Sequence, residues 1–317
     1  MEKITHLNFS RYTPAELAST KGRQRLYVVI STLGEREADL AAEKVRLVGD
    51  ELAGMVDRVF LSHRREHADA PDRTEQRVRA ADPNAVIIIT NAEAVPDMGD
   101  ERGKGADMRR TLYHINTHWR DGLPPEDIVI VFLDADVSMQ YFGAHFVTGL
   151  AGAVFEGYDF AKAGFWRAMG RVKKYMAQPL FSAIAHPAVR RLTAFSYPLS
   201  GEVAGTLAFF NAVCFWQMYG IETGVAIDSC FQGYRMADVN LGRYDHDHNS
   251  DLGIQKIAFG VVRTWLRQMV EYGVIELKDG AAVNDILQFN AIDENGERQF
   301  HSYDLTERKY APLKEIV

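Results

Sequence analysis

Asp134-Ala135-Asp136 follows directly on the apolar run Ile128–Leu133 (IVIVFL). A strand ending there would set both carboxylates at the carboxyl edge of a sheet, where α/β proteins bind ligands. Such a pair can hold Mg2+, which takes one or two carboxylates and completes its shell with phosphate oxygens and water. The plainer alternative is a solvated turn with two capping aspartates. Asp-x-Asp is common by itself; the strand in front of it favours the ligand-binding reading.

Three other stretches carry chemistry-bearing residues. Gly103-Lys104-Gly105 stands ahead of a helical pattern. Glycines there would let backbone approach a phosphate, and the lysine adds charge. The GxxxxGK[ST] spacing is absent. Asp245-His246-Asp247-His248 offers imidazoles and carboxylates that could share a divalent ion, or else form a polar surface loop. Pro198-Leu199-Ser200-Gly201-Glu202 and Tyr219-Gly220-Ile221-Glu222-Thr223-Gly224 place an acid beside glycines in apolar surroundings. A carboxylate so placed needs donors, and sugar hydroxyls are donors. A capped helix start is the alternative, more so for Glu202 than for Glu222. Neither a dinucleotide GxGxxG, nor a GxSxG elbow, nor HExxH, nor a Cys/His zinc spacing occurs.

The elements that must position these residues read as β-α-β. Leu26–Thr32, Val56–Ser62, Ala85–Thr90 and Ile128–Leu133 are short, apolar, β-branched runs, as buried parallel strands are. Thr32 and Glu35 have capping-box spacing, and Ala41, Val45, Val48 and Leu52 recur at helical intervals. Residues 1 to 24 read as an irregular arm, and 63 to 84 as a charged loop. Leu252–Tyr272 is a long amphipathic pattern stopped by Gly273. Asp293-Glu294-Asn295-Gly296 lies between two strand-like runs, a hairpin signal. The expectation is a doubly wound α/β sheet with helices on both faces.

Composition narrows the partners. Asp and Glu outnumber Lys and Arg by 43 to 36, which excludes a general nucleic-acid binder. Val137–Phe155 and Val203–Ile221 lack charged residues but are interrupted by polar ones and have no basic anchors. Buried core is the better reading, with no integral membrane segment. Cys214 and Cys230 cannot build a disulfide scaffold, which suits a reducing, cytoplasmic setting.

In order along the chain, GKGADMRR, VFLDADV, MGRVKKYMAQPL, YPLSGEVAG, YGIETGVAID, DVNLGRYDHDH and LQFNAIDENGERQF resemble the glucosyl-3-phosphoglycerate synthase family. The match runs from about residue 100 to 317. The resemblance implies a retaining glycosyltransferase with the glycosyltransferase-A fold, a Rossmann-like mixed sheet with a C-terminal helical and hairpin extension. It divides the chain into the arm (1–24), a nucleotide-sugar-binding part (25–165) and an acceptor-binding and C-terminal part (166–317). Asp136 and His246 would ligate Mg2+ or Mn2+. Lys104, Asp134, Leu199, Gly201 and Glu222 would meet the nucleotide-diphosphosugar donor, with Lys104, Asp134 and Glu222 closest to the chemistry. Arg171 matches an acceptor-side arginine, and on an α-helix Lys174 would share its face while Lys173 points partly away. A homodimer is implied, with Phe289, Phe300, Tyr303 and Tyr310 as interface aromatics.

The chain also departs from the family pattern. Ser31-Thr32-Leu33-Gly34-Glu35-Arg36 and Ser62-His63-Arg64-Arg65-Glu66 replace the expected donor-side loops. Lys173 and Tyr244 stand where the family has Thr and Arg. Losing that arginine suits a small anionic acceptor less charged than 3-phosphoglycerate, such as glycerate. Two rival functions fit the same residues: nucleotide-sugar binding without turnover, and phosphohydrolysis on Asp134, Asp136, His246 and His248.

Overall fold

The strand that ends in Asp134 sits near the middle of an eight-stranded sheet. A computed structural model of the chain describes residues 4–167, 170–245 and 250–317. Its strands are β1 (Thr5–Asn8), β2 (Arg25–Leu33), β3 (Arg58–Arg64), β4 (Val86–Ile89), β5 (Ile128–Asp134), β6 (Phe160–Trp166), β7 (Val203–Thr206), β8 (Phe215–Trp216), β9 (Met236–Arg243), β10 (Ile286–Ile292), β11 (Arg298–Asp304) and β12 (Lys309–Tyr310). The helices are α1 (Pro14–Thr20), α2 (Ala38–Glu51), α3 (Arg73–Ala81), α4 (Lys104–His118), α5 (His145–Phe155), α6 (Gln178–Ser182), α7 (Pro187–Leu192), α8 (Leu207–Ala212), α9 (Ile221–Phe231) and α10 (Asp251–Glu271).

The sheet order is β1-β9-β6-β7-β5-β2-β3-β4. β7 runs antiparallel to both β5 and β6, and the other pairs are parallel. Side chains alternate across a strand, so β5 feeds two cores. Val129, Val131 and Leu133 pack with Ala41, Val45 and Val48 of α2 and with Phe146 and Leu150 of α5. Ile128, Ile130 and Phe132 pack on the other face with Leu112 and Ile115 of α4, Ile227 of α9 and Trp265 of α10. Covering on both faces explains why these strands read as continuous apolar runs. The fold is the expected mixed α/β sheet. The charge-poor stretch around α5 is buried against it, and among the described residues no helix is long and apolar enough to cross a membrane.

Several local expectations change. Residues 5–8 are not a loose arm: Thr5 to Asn8 pair with Ala237 to Asn240, making β1 the edge strand. Behind it Thr13 and Glu16 form a capping box with Pro14 at the first turn of α1, a signal legible in the sequence. Residues 63–84 are likewise more than a loop. β3 continues to Arg64, and Asp72 with Glu75 caps α3. Thr32 caps nothing: it lies within β2, and its hydroxyl meets His63 Nδ1 at 2.8 Å. Pairing of Thr32 and Leu33 with His63 and Arg64 holds the strand past the expected cap, and α2 begins only at Ala38. The sheet also crosses the expected boundary near 165, since β7 and β9 come from beyond it.

The C-terminal elements follow their sequence signals. α10 stops where Gly273 takes a positive φ of 66°. The β10–β11 hairpin closes through Gly296 and two backbone amides held by the Asp293 carboxylate.

Candidate active site

β5 delivers Asp134 as its last residue, and the turn behind it is clamped from two sides. Ala135 N donates to Ser31 O at the end of β2, at 3.1 Å. Lys44 of α2, fully buried, donates to Ala135 O at 2.8 Å and Val137 O at 2.6 Å. Charged hydrogen bonds of this kind contribute about 1.5–3 kcal/mol each, and they fix the backbone that aims Asp136. Burial pushes the Lys44 amine down to about 8, with Asp136 and Glu37 pulling it back up. Sequence reasoning passed over Lys44, although it stands three residues after buried Ala41 on the same helix face.

Lys104 opens α4, and its ammonium reaches the Asp134 carboxylate at 2.7 Å and Glu222 Oε1 at 3.1 Å. Glu222 stands in the first turn of α9. Three elements distant in sequence thus meet in one cluster. Burial alone would lower the Lys104 amine, but Asp134, Glu222 and Glu202 outweigh it and hold the group above the ordinary lysine value. A Cβ on Gly201 would overlap both Lys104 Nζ and Asp134 Oδ2, so only glycine lets this segment lie against the pair. The glycines beside Lys104 serve a different purpose from the one expected. A Cβ on Gly103 or Gly105 would strike the backbone of Gln217 or Trp216, and Ala106 N donates to Gln217 O at 3.0 Å. They admit protein backbone, and thereby seat Lys104.

Beneath Gly201 lies a buried polar network. Lys162 Nζ donates to Ser200 O at 2.7 Å. The Ser200 and Tyr244 hydroxyls donate to the two Glu202 oxygens at 2.8 and 3.0 Å. The Tyr244 ring stacks on Phe165 at 3.9 Å. Burial, followed by the charge of Asp134, pushes the Glu202 carboxyl up to about 7. Glu202, expected as a pocket-facing acid or a helix cap, is the buried counterpart of the former; Lys162 and Lys44 were not anticipated as parts of the site. Lys162 has a signal, a charged residue inside the apolar, buried run FAKAGFW, whereas Lys44 stands beside Glu43 and near Arg46 and has no such signal.

Three cavities meet at the cluster. The largest, about 730 Å³, lies over the ends of β2 and β3 and is bounded by Lys104, Asp134 and Asp136. A second of about 400 Å³ is bounded by Lys104, Asp136, Leu199 and Glu222. A third of about 170 Å³ is bounded by Asp134, Leu199, Gly201 and Glu222 on one side and by Arg167, Arg171, Lys173 and Tyr244 on the other. Lys173, expected to point partly away, borders this cavity together with Arg171. Residues 173–177 wind as a π-helix, whose wider turn breaks the α-helical facing rule. Lys173 Nζ stands 4.8 Å over the Tyr197 ring, and Arg171 Nη1 meets Asp251 at 2.6 Å.

No family model matches the chain. It is 27% identical over 218 residues to the glucosyl-3-phosphoglycerate synthase of Petrotoga mobilis, an alignment covering 64% of this chain and 62% of that protein. The chain therefore spans less than two thirds of that relative. The solved mannosyl-3-phosphoglycerate synthase of Rubrobacter xylanophilus superposes with a TM-score of 0.81 at 23% identity, covering 99% of this chain and 96% of that one. The glucosyl-3-phosphoglycerate synthase of Mycobacterium tuberculosis, solved with Mn2+, UDP and phosphoglyceric acid, gives 0.76 at 23% identity over 96% of each chain. The chain is similar to glucosyl-3-phosphoglycerate synthase in sequence and shares its fold with the two solved synthases.

Lys104, Asp134, Leu199, Gly201 and Glu222, the residues expected on the donor side, all border the cavities that meet here. Asp136 faces the two larger ones. Glu37 joins it, its carboxyl pushed up to about 7 by burial and then by Asp136 and Asp134. Such an oxygen-rich, carboxylate-heavy set fits a hard divalent cation. His246 and His248 lie outside the described residues. The chain reaches Asp245 beside the Asp136 turn, where Ser138 N donates to Asp245 O at 3.1 Å. Tyr244 borders the third cavity, with its hydroxyl committed to Glu202.

Glu202 makes stability depend on pH. Its folded pKa lies above its unfolded value, so the fold favours the protonated form; that contribution is complete below the unfolded value and is lost as pH rises through about 7. Glu202→Gln keeps the shape and cannot ionise. Thermal denaturation between about pH 5 and about pH 8.5 should show the variant gaining on the wild type as pH rises. A constant difference across that range would refute the assignment.

Proposed function

We propose that this chain is a divalent-metal-dependent, retaining hexosyltransferase that moves a hexose from a nucleotide-diphosphosugar to a small anionic acceptor such as 3-phosphoglycerate or glycerate. The observation that carries this reading is the meeting of Lys104, Asp134 and Glu222 where the three cavities join. The largest cavity has room for a nucleotide, and the basic wall of the smallest suits an anion. The named relatives are hexosyl-3-phosphoglycerate synthases.

Asp136 and His246 would hold Mg2+ or Mn2+, which when bound screens the charge of the departing diphosphate. Lys104 adds a fixed positive charge beside that position, preorganised by Asp134 and Glu222. Glu222 and the backbone of Leu199–Gly201 orient the sugar hydroxyls. Arg171, with Lys173, holds the acceptor's anionic group at the far wall. The acceptor hydroxyl attacks on the face that the diphosphate leaves, and a leaving phosphate oxygen accepts its proton. No protein base is required. We place this chemistry in the cytoplasm.

We further propose a homodimer built on the β10–β11 hairpin. Its outward face carries Ile286, Ile292 and Phe300, the last two 72% and 64% exposed. Apolar residues grouped on one ribbon face suit a second copy of the chain.

Lys104→Met should lower turnover by on the order of 10²-fold, and Asp136→Asn should abolish metal-dependent nucleotide-diphosphate binding. Both are read by steady-state kinetics and calorimetry, and wild-type behaviour in both would sink the reading. Arg171→Ala should raise the acceptor KM about tenfold or more with little change in donor KM. Lys174→Ala should move neither; equal effects from the two would mean that the acceptor wall is wrongly drawn. Light scattering should give twice the chain mass for the wild type and the single mass for Phe300→Asp. A monomeric wild type at micromolar concentration would remove the dimer.

A further inference from the structure

α4 carries Lys104 at its start and a second group of ligating side chains near its end. His114 and His118 are four residues apart, so their rings share one helix face, with centroids 4.6 Å apart. The turn after β4 brings Glu93 against them, and its Oε2 lies 3.0 Å from His114 Nδ1. One ligand atom from each of Glu93, His114 and His118 lies within 4.8 Å of the others. Glu93 and His114 are half-buried and His118 is exposed, so an ion could enter from solvent. From residue 104 to 114 the helix rises about 15 Å, which separates this group from the cleft.

A second cluster of the same kind shows by contrast why this one is the candidate. His63, Asp72 and Glu75 also lie close together. There His63 bridges Thr32 and Asp72, while Glu75 is gripped by Arg65 through both oxygens. Those donors are committed to a structural network. Around Glu93 no arginine or lysine pairing of that kind holds the carboxylate among the described contacts; its recorded partner is His114.

We propose that Glu93, His114 and His118 form a second cation site, selective for a zinc-class transition metal and separate from the site for Mg2+ or Mn2+ in the cleft. Two imidazoles are borderline donors that favour zinc over magnesium, and the carboxylate and a water would complete the tetrahedron. The ion would tie the turn after β4 to α4. That turn also contains Asn91, whose side chain holds the Arg65 backbone at the edge of the largest cavity.

The test is calorimetric titration of the intact protein with Zn2+ in the presence of excess Mg2+. The wild type should bind one equivalent through this cluster. His118→Ala, at an exposed position, and Glu93→Gln should each weaken binding about tenfold or more. Asp136→Asn should retain this binding, which separates the cluster from the cleft. Absence of zinc binding by the wild type would overturn the proposal. So would unchanged affinity in both cluster variants, or zinc binding that survives in them and vanishes in Asp136→Asn.

Discussion

The Lys104–Asp134 contact is the constraint around which the rest of the structure is arranged. It joins the end of β5 to the start of α4 at 2.7 Å, and Glu222 brings in the start of α9 at 3.1 Å. One ammonium stands among the carboxylates of Asp134, Glu222 and Glu202, with Asp136 and Glu37 farther along the cleft. Partly buried like charges repel strongly because the surrounding dielectric is low. The cluster therefore holds more negative charge than Lys104 can balance. A divalent cation would restore the balance, and a diphosphate would then find positive charge on two sides. The electrostatics that make the empty arrangement costly are those that make the loaded one favourable.

Two buried lysines make this tolerable. Lys44 grips the carbonyls of the Asp-x-Asp turn and Lys162 grips Ser200 O behind Gly201. Neither meets a carboxylate directly in these contacts; both spend their charge on backbone oxygens. Burial pushes each amine down to about 8, opposed by nearby acids. Their function is positional. They hold the two backbone segments between which a sugar would sit, and they place positive charge behind an acidic wall. Preorganised dipoles and charges of this type need no reorganisation when the reaction begins.

The fold was largely legible because its strands are buried on both faces, which leaves continuous β-branched runs such as IVIVFL. β1, β6, β7 and β9 escaped notice. β1 and β7 are only four residues long, and β6 and β9 are interrupted by charged and polar residues, Lys162 in one and Asp238 and Asn240 in the other. At the site, residues with a local motif were found: Asp134, Asp136, Lys104 and Glu222. Residues that act through tertiary contacts were missed, since nothing near Lys44 or Lys162 in sequence shows which backbone each will meet. Lys173 borders the cavity for a subtler reason. The facing rule assumes 3.6 residues per turn, and the π-helical stretch from Lys173 to Ala177 does not obey it.

Tyr244 shows how one replacement reshapes a pocket without emptying it. The family resemblance leads one to expect an arginine there, pointing its charge at the acceptor. Tyr244 instead turns its hydroxyl to Glu202 and lays its ring on Phe165. A guanidinium would have neutralised Glu202 or the acceptor; a phenol does neither, and Glu202 is left to be stabilised by protonation and by hydrogen bonds. Positive charge in this cavity then comes from Arg167, Arg171 and Lys173 at the opposite wall. Two of these already face acids, Asp245 and Asp251. Under the proposed function an acceptor would have to compete with those carboxylates, which would favour a compact anion able to displace one exposed aspartate. That charge balance, more than the volume of the cavity, would then set what can be accepted.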